Sequence, residues 1–125
     1  MSVKPQIEVF VKPQYIESQS NPVQEKFVFS YTITIANQSE IPAQLISRHW
    51  IITDDKNQIQ EVKGLGVVGQ QPRLEPGSSF TYTSSAMLAT ENGIMEGSYQ
   101  MRLDDNTEFD IPIPTFALIH PKNLH

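Results

Sequence analysis

Residues 63–72 read KGLGVVGQQP, and Gly64, Gly66 and Gly69 within them spell G-x-G-x-x-G. In doubly wound α/β folds that spacing ends a strand, admits a pyrophosphate to the backbone and opens a helix. The residues that follow decide between that fold and an all-β one. Gln70-Gln71-Pro72 comes at once and Pro76-Gly77 soon after, leaving no room for two helical turns. No βαβ unit surrounds the stretch, and no later strand offers an acidic partner for a ribose. The dinucleotide reading fails. The glycines are expected to let a connection cross between sheets, with Leu65, Val67 and Val68 packed inward. A smaller role stays open. Successive amides of a glycine-rich turn can form a nest for an anion. Gly64, Gly66 and Gly69 are its candidate residues, with Arg73 and Arg48 as charged helpers.

Outward from this stretch the dominant period is two. Ile7, Val9 and Val11 alternate with Glu8, Phe10 and Lys12. Phe27, Phe29, Tyr31, Ile33 and Ile35 alternate with Val28 and a run of hydroxyls. The same alternation returns at Phe80–Tyr82, Tyr99–Leu103 and Phe109–Ile113. Each run presents one apolar and one polar face, as in a half-buried strand. Turn residues fill the gaps: NQSEIP (37–42), DDKNQ (54–58), EPGSS (75–79), ENG (91–93) and DDNT (104–107). The best helical candidate is SSAMLATENG (84–93), with room for one short turn ending at Gly93. HPKNLH (120–125) reads as a frayed, flexible tail. The expected organisation is one domain over residues 1–125: an all-β, immunoglobulin or fibronectin type III-like sandwich of about seven to eight antiparallel strands.

The lone tryptophan, Trp50, lies in LISRHWIITD (45–54), a run apolar on both faces and therefore expected to be central. Gly97-Ser98-Tyr99-Gln100-Met101 is similar to the tyrosine-corner stretch of immunoglobulin domains, with Met101 where those domains carry their second core cysteine. Pro112 and Pro114 cannot donate to a ladder, which requires an edge strand or a bulge there; Pro5 and Pro13 imply the same of the first strand.

Composition narrows the function. The chain has 125 residues, no cysteine and a net charge of −5, with only nine Lys and Arg spread along it. Disulfides, thiolate metal sites and cysteine nucleophiles are excluded. Without a basic cluster, nucleic acid is not an expected partner. No apolar run approaches the ~20 residues that span a bilayer, so no membrane insertion is expected. The proline-bearing, alternating start MSVKPQIEVFVKPQY is not a signal peptide, and the expected location is cytoplasmic.

Catalytic and metal signatures are sparse. His49, His120 and His125 form no H-x-H or H-x-x-x-H pair, and His49 beside Trp50 reads as a hydrogen-bonded, half-buried residue. Asp54-Asp55 and Asp104-Asp105, with Glu108 and Asp110, offer oxygen ligands to a hard cation but also suit the turns they occupy. No G-x-S-x-G elbow is present, and no motif brings Ser, His and Asp together. The reading is non-enzymatic, with no catalytic residues, no metal site and no cofactor.

RHWIITD (48–54), GLGVVGQQPRLEPGSSFTYTS (64–84) and GIMEGSYQM (93–101) together resemble the ApaG family of small bacterial proteins, and the likeness extends over most of the chain. Ser85-Ala86 stands where the family often has glycine after TYTS. The resemblance implies an immunoglobulin or fibronectin type III-like sandwich. It also implies an association with cobalt resistance and magnesium efflux, a G-x-G-x-x-G discussed as a pyrophosphate-binding element, and no catalytic residues. Similar domains are fused into larger eukaryotic proteins, including F-box proteins, as suits an interaction module. Three readings follow: a module binding an as yet unidentified protein, a small-anion or nucleotide binder at the glycine loop, and a direct divalent-cation binder. Strand addition at a free edge offers a route to a homodimer.

Overall fold

The computed structural model describes residues 6–124; Pro5 and His125 lie outside them. Eight strands follow one another along the chain: β1 Ile7–Tyr15, β2 Phe27–Asn37, β3 Ala43–Asp54, β4 Ile59–Leu65, β5 Arg73–Leu74, β6 Ser79–Leu88, β7 Asn92–Leu103 and β8 Glu108–Ile119. They pair antiparallel into two sheets, β1-β2-β6 and β4-β3-β7-β8, with β5 continuing the β4 side of β3. This is the strand order of a fibronectin type III-like sandwich. The helical turn expected at 84–93 is absent: the segment runs as β6 to Leu88, since Ala86 and Leu88 bury on the inner face.

Alternation sets which face is buried. Phe29, Tyr31, Ile33 and Ile35 of β2 meet Trp50, Met95, Tyr99 and Met101 of the larger sheet in one core. On the outer face of β2 the hydroxyls pair across strands, Thr32 with Thr83 and Thr34 with Thr81. β3 is central, between β4 and β7, as its apolar faces require. Trp50 packs edge-on against Tyr31, Phe116 and Tyr99, with ring centroids 5.5, 5.9 and 6.5 Å apart. The proline-bearing strands β1 and β8 are edges, and the β7–β8 register slips between Met95 and Gly97, opposite Pro114.

One local expectation is corrected, and the segment read as a tail carries a turn. A tyrosine corner sends its hydroxyl to nearby backbone; the Tyr99 hydroxyl instead meets that of Tyr82, 2.5 Å away across the core. The tail read at 120–125 is, through Asn123, a 3-10 turn. The His120 ring stacks on Tyr15 with centroids 4.4 Å apart, and the His120 backbone N–H donates to Asn92 Oδ1.

Candidate functional site

The glycine stretch is built around a bulge and an arginine. Ile46 is an extra residue in β3, opposite the step between Met101 and Gln100. The bulge shifts the alternation, so Arg48 follows Leu45 onto the inner face, in line with Trp50 and Ile52. Arg48 stands opposite Gly64 in β4. Its guanidinium lies over that glycine, where a Cβ would meet Nη1 at 2.8 Å. Nη1 donates to the carbonyls of Leu65 (3.1 Å) and Gly66 (2.8 Å). Gly64 is thus the floor on which Arg48 rests.

Beyond Gly66 the chain folds into a tight hairpin. Gly66 takes a φ of +63°, and a Cβ there would sit 2.3 Å from the Gln70 carbonyl. Val67 and Gln70 exchange both backbone hydrogen bonds, 2.8 and 2.9 Å. Between them Val68 (φ 43°) and Gly69 (φ 79°) both have positive φ, the pattern of a type I′ turn. That turn favours Asn-Gly. A β-branched residue in its first position is strained by roughly 1–2 kcal/mol. Leu65, Val67 and Val68 do not all pack inward. Val67 is fully buried, whereas Leu65 is 75% and Val68 51% exposed. The amides of Gly66, Val67 and Gln70 are engaged with Ile46, Gln70 and Val67 carbonyls. Among the described residues, the turn's unengaged donors are the N–H groups of Val68 and Gly69.

Under the hairpin, at the open side of the sandwich, lies a notch of about 220 Å³ lined by Tyr31, Arg48, Trp50, Tyr82 and Ser84, with Val67, Val68 and Gly69 as its lip. Burial holds the Tyr82 phenol neutral, pushed up to about 12, and raises that of Tyr99 further. Arg48 acts against both shifts, placing its charge near the two hydroxyls. Among the described residues no carboxylate pairs with Arg48. A half-buried guanidinium held by two carbonyls therefore faces a polar notch with hydrogen-bonding capacity to spare.

The other sequence candidates are dispersed. Arg73 leaves the loop: it pairs with Glu75 and, at 2.6 Å, with Asp104. Asp54 caps its turn through the N–H groups of Lys56 and Gln58, and Asp105 accepts from Thr107 N–H. The Thr107 side chain, and after it this N–H, hold the Asp105 carboxyl below its usual range. His49 is half-buried, but among the described residues its Nε2 has no hydrogen-bond partner; it lies 3.6 Å from Glu61. Among the described residues no three His, Asp or Glu converge as metal ligands. The notch itself escaped the sequence reading, because Tyr31, Tyr82 and Ser84 come from distant strands and only the β2–β6 register brings them together.

Comparison with known proteins agrees with this frame. The family model described as the ApaG domain matches residues 17–103. The chain is 56% identical over 122 residues to the Protein ApaG of Dechloromonas aromatica, covering 98% of this chain and 96% of that one. It is 54% identical to that of Thiobacillus denitrificans, over 98% and 96% of the two chains. A crystal structure from Bordetella pertussis, described as an ApaA protein, superposes with a TM-score of 0.92 at 48% identity, covering 95% of this chain and 97% of the other.

Proposed function

The chain belongs to the ApaG family, and from that premise we propose that it is a non-enzymatic module that binds another protein through the Leu65–Gly69 turn. One observation carries this reading: Val68, a β-branched residue, is held at positive φ on an exposed turn. Nothing in the core rewards that strain, because the buried anchor of the hairpin is the neighbouring Val67. Strain of this kind persists where a surface is used. Exposed Leu65 beside Val68 supplies an apolar tip, and Arg48 beneath it supplies a charge that an acidic side chain can meet. On this reading the module is cytoplasmic, and the cobalt and magnesium phenotypes that the resemblance attaches to the family follow from its action on another component. The test is quantitative affinity capture with wild type, Leu65→Ala/Val68→Asn and the outer-face control Thr81→Ala. The expected result is a partner retained by wild type and control and lost by the turn variant. Equal retention by all three contradicts the proposal.

Arg48 favours a second reading, in which a small anion such as pyrophosphate enters the notch. Its contacts would come from the guanidinium, Ser84 and the free amides of Val68 and Gly69, rather than from a full backbone nest. Titration with pyrophosphate should shift the amides of Val68 and Gly69 in the wild type and not in Arg48→Met. An unchanged wild-type spectrum at ~1 mM sinks this reading.

A further inference from the structure

Three of the four outer strand edges are blunted or covered. β1 and β8 carry Pro13, Pro112 and Pro114. The β6 edge faces the 66–70 hairpin, whose Val67 and Gly69 share the notch with Tyr82 and Ser84, and Gln60 Nε2 donates to its Met87 carbonyl at 3.3 Å. The remaining edge, β4, has no proline and, among the described residues, no cover: six of its seven residues are exposed.

The sequence of β4, I-Q-E-V-K-G-L, is self-complementary about its centre. In an antiparallel pairing of two copies with a two-fold axis at Val62, Glu61 lies opposite Lys63 of the second copy and Lys63 opposite its Glu61. Ile59, 66% exposed, lies opposite Leu65, 75% exposed. Gln60 then faces Gly64, and Val62 faces itself. Backbone polarity agrees with this register. Asp54 N–H donates to the Gln58 carbonyl at one end of β4, and Gly66 N–H to the Ile46 carbonyl at the other. The even-numbered residues therefore turn their amides and carbonyls toward β3. Ile59, Glu61, Lys63 and Leu65 turn theirs to the free edge, where the Leu65 carbonyl, already accepting from Arg48 Nη1, keeps a second lone pair for a partner. Those four are the residues that the two-fold register places in hydrogen-bonded pairs. Any shift from the register loses one of the matches: by one residue it turns the wrong backbone groups to the partner, by two it sets Glu61 against Glu61 or Lys63 against Lys63.

We propose that a second copy of this chain docks on β4, joining the two larger sheets into one continuous sheet across a two-fold axis. The interface is isologous: each Glu61, 3.4 Å from its own Lys63 and 3.6 Å from its own His49, also meets the Lys63 of the other copy. It lies on a different edge from the Leu65–Gly69 tip, although Leu65 belongs to both. The Glu61 and Lys63 variants test the dimer without altering the turn.

Sedimentation velocity over a concentration series, to roughly 1 mM, reads the outcome. The expected result is a concentration-dependent dimer. Glu61→Lys should weaken it at least ~10-fold, by setting like charges opposite each other twice, and Glu61→Lys/Lys63→Glu should restore it. Lys63→Pro removes an edge N–H that the single chain does not use, so it should abolish the dimer and leave thermal unfolding close to wild type. A wild-type chain that stays monomeric throughout overturns the proposal, as does a dimer indifferent to both Glu61→Lys and Lys63→Pro.

Discussion

Asn37 shows how much one side chain can hold. It is a buried polar residue at the end of β2. Its Nδ2 donates to the Ile41 and Leu74 carbonyls, at 2.9 and 3.0 Å, and its Oδ1 accepts from Ser39 N–H and the Ser39 hydroxyl. It fastens the 38–42 crossover to β5 and so fixes where the glycine connection begins its return. In the sequence it looks like any turn asparagine. Asn37→Ala removes four hydrogen bonds at a buried position and takes the acceptor from the Ser39 N–H, which should cost about 2–3 kcal/mol in chemical denaturation. Val68 makes the opposite prediction. Val68→Asn gives the I′ turn its preferred Asn-Gly, which should raise stability by ~1 kcal/mol while weakening partner capture. A variant that gains stability and keeps full capture separates the strain from function. Gly64→Val should destabilise by several kcal/mol or expel Arg48 from its seat, because the guanidinium occupies the position of the added carbon. A near-neutral change in thermal unfolding, with the notch intact, contradicts that account of Gly64.

At the scale of elements, the bulge at Ile46 is the device that turns Arg48 inward, and β4 is the strand whose exposure leaves room for a partner. The terminal turn after β8 is a smaller device. His120 against Tyr15 and Phe27, its hydrogen bond to Asn92, and the Lys122–Glu91 ion pair tie residues 120–123 to the β6–β7 connection and to β1. Removal of residues 120–125 should lower stability by roughly 1–2 kcal/mol, mostly through lost aromatic contact, since exposed ion pairs contribute little. Unchanged unfolding on truncation would return this segment to the frayed tail that its sequence suggests. The strands themselves were legible because alternation is a local signal, and the edge position of β8 was legible from its prolines. The bulge was not. A one-residue insertion leaves LISRHWIITD looking apolar on both faces, and only pairing with β7 shows which face Arg48 takes.

For the molecule as a whole, the sandwich buries two phenols that meet in its core. In the unfolded chain a tyrosine ionises near 10. Burial raises Tyr82 to about 12 and Tyr99 higher. Raised values mean that the contribution is complete below pH ~10 and is lost as pH climbs from there through the folded-state values, where the unfolded chain alone gives up its protons. Stability should fall on the order of 1 kcal/mol per pH unit for each phenol across pH 10–12. Ultraviolet titration of the folded protein should show tyrosine ionisation still incomplete well above pH ~10, because Tyr82 and Tyr99 keep their protons. Complete ionisation near pH ~10 in the folded protein contradicts the buried pair. Fold class and family were readable from pattern and motif. The notch was not, because its residues converge only through long-range register, and Arg73, close in sequence to the loop, turns away to Asp104. KGLGVVGQQP thus proves to be a seat for Arg48 followed by a strained, exposed turn. The most direct test of that turn as a recognition element is an amide shift map of the ¹⁵N-labelled chain with its captured partner. Shifts concentrated at Leu65–Gly69, Arg48 and Ser84 are the predicted result. Shifts confined to the outer face of β2 and β6, around Thr32 and Thr81, with the turn unmoved, would contradict it.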